Sequence, residues 1–197
     1  MRVTGGRLAG RPLRAPKGLD TRPTTDRVRE SLFGVLDHHA DAPLPGARVL
    51  DLFAGSGALG IEAVSRGAAF CLFVETAAGA RGAIRDNTEG LGLNGVTRLH
   101  RRSATSLGEK PAGMGERFTV AFLDPPYAQG LLQPALGGLR AGRWLADGAL
   151  AVCEQDRRED APSAEGFALT DERAYGDTVV RLFAYGPEGL DSARHDA

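Results

Sequence analysis

The chain's 197 residues, 42% of them hydrophobic and 25% charged, have the mix of one ordinary globular domain, which excludes wholesale disorder and fibrous architectures. A net charge of −1 argues at first sight against a nucleic-acid partner, but the average hides an asymmetry. Residues 1–30 hold eight basic groups (Arg2, Arg7, Arg11, Arg14, Lys17, Arg22, Arg27, Arg29) against three acids (Asp20, Asp26, Glu30), so the rest of the chain carries −6; a basic arm on a mildly acidic body is one way to meet a phosphate backbone.

Residues 1–23 are rich in Gly, Pro and Arg and read as an extended arm with a small hairpin around β-prone pieces such as Arg2–Thr4. Thr24 or Thr25 caps a helix over Asp26–His38, whose Val28, Leu32, Val35 and Leu36 fall on one face. Ala40–Gly46 is a linker, and from Ala47 strands alternate with helices. The expected order is strand Arg48–Phe53, helix Gly57–Arg66, strand Ala69–Glu75, helix Ala77–Leu91 and strand Thr97–Arg101. Strand Phe118–Asp124, helix Leu131–Leu139 and strand Ala149–Glu154 follow. Ala168–Tyr175 and Thr178–Tyr185 flank Gly176-Asp177 as an antiparallel hairpin. The α/β fold expected is a mostly parallel sheet with helices on both faces. It divides into an arm and helix over 1–39, a core domain over 47–186 and a polar tail over 187–197.

No apolar run reaches the roughly 18 residues of a membrane span, and the N-terminus lacks the apolar core of a secretory signal. Cys71 and Cys153 are too few for a disulfide scaffold, so a reduced, cytoplasmic setting is expected. His38, His39, His100 and His195 are scattered without metal-ligand spacing, and no metal is expected.

Two segments carry chemistry. In Asp51-Leu-Phe-Ala-Gly-Ser-Gly-Ala-Leu-Gly60, the glycines Gly55, Gly57 and Gly60 form a G-x-G-x-x-G at a strand-to-helix junction. Such a loop brings backbone N–H groups and a helix N-terminus to a nucleotide-type cofactor, and both dinucleotides and S-adenosylmethionine (SAM) use it. A β-branched residue at Gly57 is expected to obstruct the ligand. Glu75 ends the second strand, where a carboxylate accepts ribose hydroxyls. Asp51 precedes the loop, where an acid suits a cationic amino group; SAM has one on its methionyl tail, and this tips the reading to SAM. The second segment is Asp124-Pro125-Pro126-Tyr127, at the end of an apolar strand. Two prolines stop the strand and present acceptors without donors. Asp124 and a proline carbonyl then each accept one N–H of an exocyclic amine, and Tyr127 stacks on the base that bears it.

VLDLFAGSGALGIEA at 49–63, Glu75 and DPPY at 124–127 resemble SAM-dependent N-methyltransferases acting on exocyclic amines of nucleic-acid bases. The arm over 1–36 and AYGDTVVRLF at 174–183 resemble, more narrowly, the bacterial 16S rRNA guanine-N2 methyltransferase family that modifies guanine 966. The resemblance covers nearly the whole chain. It implies a Rossmann-like class I SAM-dependent methyltransferase with a seven-stranded sheet. The substrate it implies is 16S rRNA within the small ribosomal subunit or its assembly intermediate, with neither membrane nor metal involved. It places Asp51, Phe53, Ala54, Gly55, Ser56, Gly57, Glu75, Thr76, Ser103, Ala104 and Asp124 on the cofactor, and Asp124, Pro125, Pro126 and Tyr127 on the reacting base. Many relatives carry Asp-Ala after the third strand where this chain has Ser103-Ala104; the serine hydroxyl and the Ala104 N–H are left to contact adenine. Arg7, Arg11, Arg14, Lys17, Arg22 and Arg27 are the expected RNA contacts. With too few apolar groups for its own core, the arm is expected to rest beside DPPY and to gain order on RNA, with Arg22 nearest the target. The competing readings are a DNA amino-methyltransferase and a non-catalytic RNA-binding or ribosome-assembly protein on the same fold.

Overall fold

A computed structural model describes residues 1–16, 26–37, 44–127 and 129–186. Seven strands form one sheet: β1 (Arg48–Leu52), β2 (Phe70–Val74), β3 (Thr97–His100), β4 (Phe118–Leu123), β5 (Leu145–Asp156), β6 (Phe167–Tyr175) and β7 (Thr178–Tyr185). Their spatial order is β3-β2-β1-β4-β5-β7-β6. The first five run parallel, while β7 is antiparallel to β5 and to β6. The expected C-terminal hairpin is therefore present and closes one edge.

Among the described residues four α-helices accompany the sheet: α1 (Asp26–Leu36), α2 (Ala58–Ser65), α3 (Ala78–Gly90) and α4 (Leu132–Ala141). The strands are apolar on both sides, as a sheet covered on both faces requires. Val49, Cys71, Phe73, Val120 and Phe122 meet α1, α2 and α3 on one face. Leu50, Leu52, Leu72, Ala121 and Leu123 meet Leu132, Ala135, Leu136 and Leu139 of α4 on the other. Chain direction across the sheet reverses at β1: β2 and β3 lie to one side and β4 and β5 to the other. The crevice outside the carboxyl ends of β1 and β4 is the place where such sheets bind ligands.

Two expectations are corrected. The fifth strand begins at Leu145 rather than Ala149, because Phe118 pairs with Leu145 before the register shifts at Val120 and Leu150. Ala146-Asp147-Gly148 lies outside the strand expected from the sequence, yet it falls within this irregular ladder. The arm, in turn, is ordered over residues 1–16. Arg2 and Pro12 form an antiparallel bridge, and the Val3 N–H donates to the Arg11 carbonyl at 2.9 Å. Val3, Leu8 and Leu13 are buried in the cluster that also holds α1 and α2. Three apolar side chains suffice because they share the domain's core instead of forming their own. Thr24, Thr25, His38 and the tail over 187–197 lie outside the described residues.

A buried carboxylate fastens this assembly. Glu62 of α2 is fully buried and accepts the Thr4 N–H (2.7 Å), the Thr4 hydroxyl (2.9 Å) and the Arg66 Nε–H (2.9 Å). The equally buried Arg29 of α1 stands 3.7 Å from it, bonds Asp26 at 2.8 Å and donates to the Arg2 carbonyl. Glu62→Ala strips three donors of their acceptor and leaves Arg29 without its buried counter-charge. A cost of about 3–5 kcal/mol is expected, read as a lower urea midpoint in equilibrium unfolding.

Candidate active site

The glycine loop starts with a twist in the chain. Phe53, just past β1, has φ 59°, a left-handed conformation unusual for a phenylalanine and of the sort that gathers at functional sites. Gly57 caps α2 with φ 79°, and its N–H donates to the Ala54 carbonyl at 2.6 Å. The three glycines act differently. A Cβ on Gly60 would stand 2.4 Å from Cys71 Sγ and 2.5 Å from the Phe73 ring, so only glycine lets α2 close on the sheet. A Cβ on Gly57 would meet Phe73 and Ile84 at 3.2 and 3.3 Å, side chains of the core. The expectation that Gly57 clears a path for ligand is thereby corrected: its role is the left-handed cap and tight packing. Gly55 (φ 56°) is the glycine whose missing Cβ faces open space, with only the Phe53 carbonyl within 4 Å.

Three carboxylates, Asp51, Glu75 and Asp124, stand towards the carboxyl ends of the neighbouring strands β1, β2 and β4. Asp51 of β1 lies in register with Phe73 and Phe122 on the neighbouring strands and is 1% exposed. Its Oδ2 accepts the Gly60 N–H at 2.9 Å. Burial, reinforced by the negative charge of Glu75, pushes its carboxyl up to about 8 against the pull of that hydrogen bond. Such a group favours a cationic partner. Glu75 accepts the Gly55 N–H at 2.9 Å and the Ala77 N–H at 2.7 Å, so it sets the loop and the entry to α3 together. A carboxylate has about four acceptor sites, and these two bonds leave capacity for hydroxyl donors. Ser103, past β3, bonds Thr105 Oγ1 at 2.9 Å, and Ala104 is buried against the α4 face. The Thr76 carbonyl accepts from Arg81.

Asp124 follows β4, partly buried, and Pro125 is buried beneath it. Both peptide bonds of Pro125 and Pro126 are trans. The Tyr127 hydroxyl lies 3.1 Å from Glu154 Oε1 and 3.0 Å from Thr178 Oγ1, on β5 and β7. Burial, with the charges of Glu154 and Asp124 adding to it, pushes the phenol up to about 12, so it stays a neutral donor. Beside it opens a cleft of about 160 Å³ lined by Pro125, Pro126, Tyr127, Gln155 and Asp160, among others. Glu154 and Thr178 touch Tyr127 and went unseen in the sequence, since the β4–β5 pairing brings the first to it and the return of β7 alongside β5 brings the second.

The structure sets the expected RNA contacts apart from this centre. Arg7, Arg11, Arg14 and Arg27 are exposed, on the arm and on α1. Arg14 pairs with Asp86 at 3.0 Å, and both side chains are more than half exposed (77% and 53%), so the pair is weak and exchangeable. The arm packs on α2 and α3 and reaches the glycine loop, where Ser56 Oγ lies 3.8 Å from Met1 Sδ. Lys17 and Arg22 lie outside the described residues. Among the described residues no group of three His, Cys, Asp or Glu side chains is placed to hold a metal, and no helix is long and apolar enough to cross a membrane.

Known proteins resemble this chain over nearly its whole length. The family model described as conserved hypothetical protein 95 matches residues 1–184. The chain is 34% identical over 195 residues to ribosomal RNA small subunit methyltransferase D of Escherichia coli (strain K12), covering 98% of this chain and 94% of that one. It is 38% identical over 184 residues to a Bacillus subtilis (strain 168) protein provisionally named rRNA methyltransferase YlbH, covering 93% and 98%. A solved Escherichia coli structure, provisionally named methyltransferase yhhF, superposes with a TM-score of 0.79 at 34% identity, covering 96% and 99%.

The raised Asp51 carboxyl makes a prediction about stability. A carboxyl whose folded value lies above its unfolded one binds its proton more tightly in the fold. It therefore costs stability as pH rises from about 4 to about 8, by roughly 1.4 kcal/mol per unit, and nothing further beyond. Asp51→Asn keeps an acceptor for the Gly60 N–H and removes the charge. The variant should match the wild type near pH 4 and exceed it by several kcal/mol at pH 8 in urea unfolding.

Proposed function

The chain belongs to the conserved hypothetical protein 95 family, and from that premise we propose that it transfers a methyl group from SAM to the exocyclic N2 of guanine 966 in 16S rRNA. The observation that carries this reading is the placement of Asp124-Pro-Pro-Tyr127 on the strand next to β1, so that an amine-accepting turn and a cofactor cradle share one crevice.

The residues present fit SAM. Gly55 leaves open space at the loop, Glu75 retains acceptors for ribose hydroxyls, and the buried Asp51 favours the cationic amino group of the methionyl tail. Bound there, SAM supplies an activated sulfonium methyl. The protein's share is to position the nucleophile, and orientation of this kind supplies roughly 7–11 kcal/mol of a barrier. The N2 amine is a weak nucleophile, its lone pair spread into the guanine ring. Asp124 and the Pro125 carbonyl accept its two N–H bonds and favour the tetrahedral nitrogen that attacks, an electrostatic preference strongest where charge develops; transfer would break the S–CH3 bond, leave S-adenosylhomocysteine and release one N–H proton from the methylated amine. The base leaves its stack to reach them, and the Tyr127 ring, its hydroxyl tied to Glu154 and Thr178, replaces the lost stacking. Arg7, Arg11, Arg14 and Arg27 hold phosphates and supply affinity without base choice. Arg14 exchanges Asp86 for a phosphate at little cost. The particle, either the small subunit or its assembly intermediate, is the substrate, and the cytoplasm is the setting.

Incubation with SAM and unmethylated 30S particles, followed by mass spectrometry of rRNA fragments, is expected to show one new methylguanine at position 966. Asp124→Ala should lower turnover by orders of magnitude, far more than it weakens SAM binding by calorimetry. Tyr127→Ala should cost about 1–3 kcal/mol in use of the flipped base. Replacing Arg7, Arg11 and Arg14 by Ala should leave SAM binding intact while lowering particle affinity. Plotted against salt, that affinity should have a slope shallower by up to about one unit per lost phosphate contact.

A further inference from the structure

Asn87 of α3 is 4% exposed, and its amide joins two parts of the protein that the reading above assigns to different ligands. Its Oδ1 accepts the Arg14 N–H at 2.8 Å, and its Nδ2 donates to the Arg14 carbonyl at 3.0 Å. That reciprocal pair is what a neighbouring strand would offer, made here by one side chain. The same Nδ2 donates to the Ser56 carbonyl at 3.0 Å. Ser56 stands between Gly55 and Gly57 in the glycine loop, so the loop is held from two sides: Glu75 takes the Gly55 N–H, and Asn87 fixes the Ser56 carbonyl. Only the second of these holds also carries the arm. A buried amide with both ends engaged has little freedom to satisfy one partner without the other, since each bond left unmade strands a buried polar group.

We propose that Asn87 is a positioning residue that couples RNA contact by the arm to the conformation of the SAM loop. The inference rests on the arm-to-RNA reading. RNA that grips Arg7, Arg11 and Arg14 holds the arm in its docked place, and the docked arm keeps Asn87 aimed at Ser56. The loop is then preset for SAM, and a loop set by SAM favours the docked arm in return. Linkage requires the two effects to be equal in size, and couplings of this kind run from about 5- to 150-fold. The enzyme thus gains SAM affinity when its RNA is present.

The test is a cycle measured on the full chain. Cofactor affinity is determined by calorimetry with S-adenosylhomocysteine, which has no methyl to transfer, for the free protein and for the protein bound to unmethylated 30S particles, and particle affinity is determined with and without S-adenosylhomocysteine. The wild type should bind S-adenosylhomocysteine at least 5-fold more tightly on the particle, with the reciprocal gain in particle affinity. Asn87→Ser, too short to span Arg14 and Ser56, should bring the ratio toward one while its melt remains cooperative. Asn87→Asp keeps the acceptor for the Arg14 N–H and loses both donors; it should abolish the coupling yet retain at least as much particle affinity as Asn87→Ser. If Asn87→Ser fails to fold, the wild-type ratio and Asn87→Asp decide. A wild-type ratio of one, or variants that keep the full ratio, overturns the proposal. A wild type that does not bind particles at all overturns the RNA reading, and the coupling with it.

Discussion

Glu62 is the group on which the placement of the described arm and of α1 depends. It is a charge inside the core, and such a charge is tolerable only when its acceptor capacity is filled and a counter-charge stands close. The arm supplies two donors from Thr4, α2 supplies Arg66 one turn on, and α1 supplies Arg29. These partners come from three separate segments, so satisfying one carboxylate fixes three elements relative to the sheet. Ser65 repeats the device on a smaller scale, accepting the Leu8 N–H at 2.9 Å and donating to the Gly5 carbonyl at 2.6 Å. α2 is thus a hinge of two interfaces. Its apolar residues and Gly60 seat it on β1 and β2, and its polar residues seat the arm on it.

That arrangement explains which features were legible in the sequence. β1, the glycine loop and the hairpin around Gly176-Asp177 are specified by neighbours in the chain: an apolar run, then glycines, or two β-prone runs around a tight turn. They stand where the pattern puts them. Features that failed or went unseen depend on partners far along the chain. Glu62 and Ser65 read as ordinary residues of an apolar helix, and nothing local says that Thr4, Gly5 and Leu8 come to them. Asn87 reads as a polar residue near a helix end. Leu145–Gly148 carries no strand pattern of its own and joins β5 only through an irregular pairing with β4. Gly57 was misread in mechanism, since the direction of an absent Cβ is set by φ and by the helix behind it.

The crevice draws its character from how its acids are held. Asp51 is desolvated on the central strand, and Glu75 adds a second negative charge nearby, so the pair raises the cost of keeping Asp51 ionised. A cation delivered between such groups relieves both terms at once, the desolvation and the repulsion. Glu75 has already spent two bonds on the backbone of the loop and of α3, and so stands ready without needing to reorganise. Tyr127 is prepared in the same way from the other side, with its hydroxyl fixed by strands that belong to the antiparallel edge. The C-terminal hairpin, which looks from sequence like a closure of the sheet, therefore also supports the aromatic ring of the site.

The basic character of the first 30 residues has to be divided by location before it explains anything. Arg29 is fully buried and spends its charge on Glu62 and Asp26. Arg2 lies within 3.9 Å of Asp26. The exposed Arg7, Arg11, Arg14 and Arg27 remain as the described part of the proposed phosphate footprint, and of these Arg14 alone has its main chain locked to Asn87. A flexible arm would lose much of its phosphate affinity to the entropy of ordering on RNA. An arm already folded onto α2 and α3 avoids most of that loss, and its anchor at Asn87 is shared with the glycine loop. Under the coupling proposed above, ordering the arm inside the domain is what turns a patch of charge into a lever on the crevice.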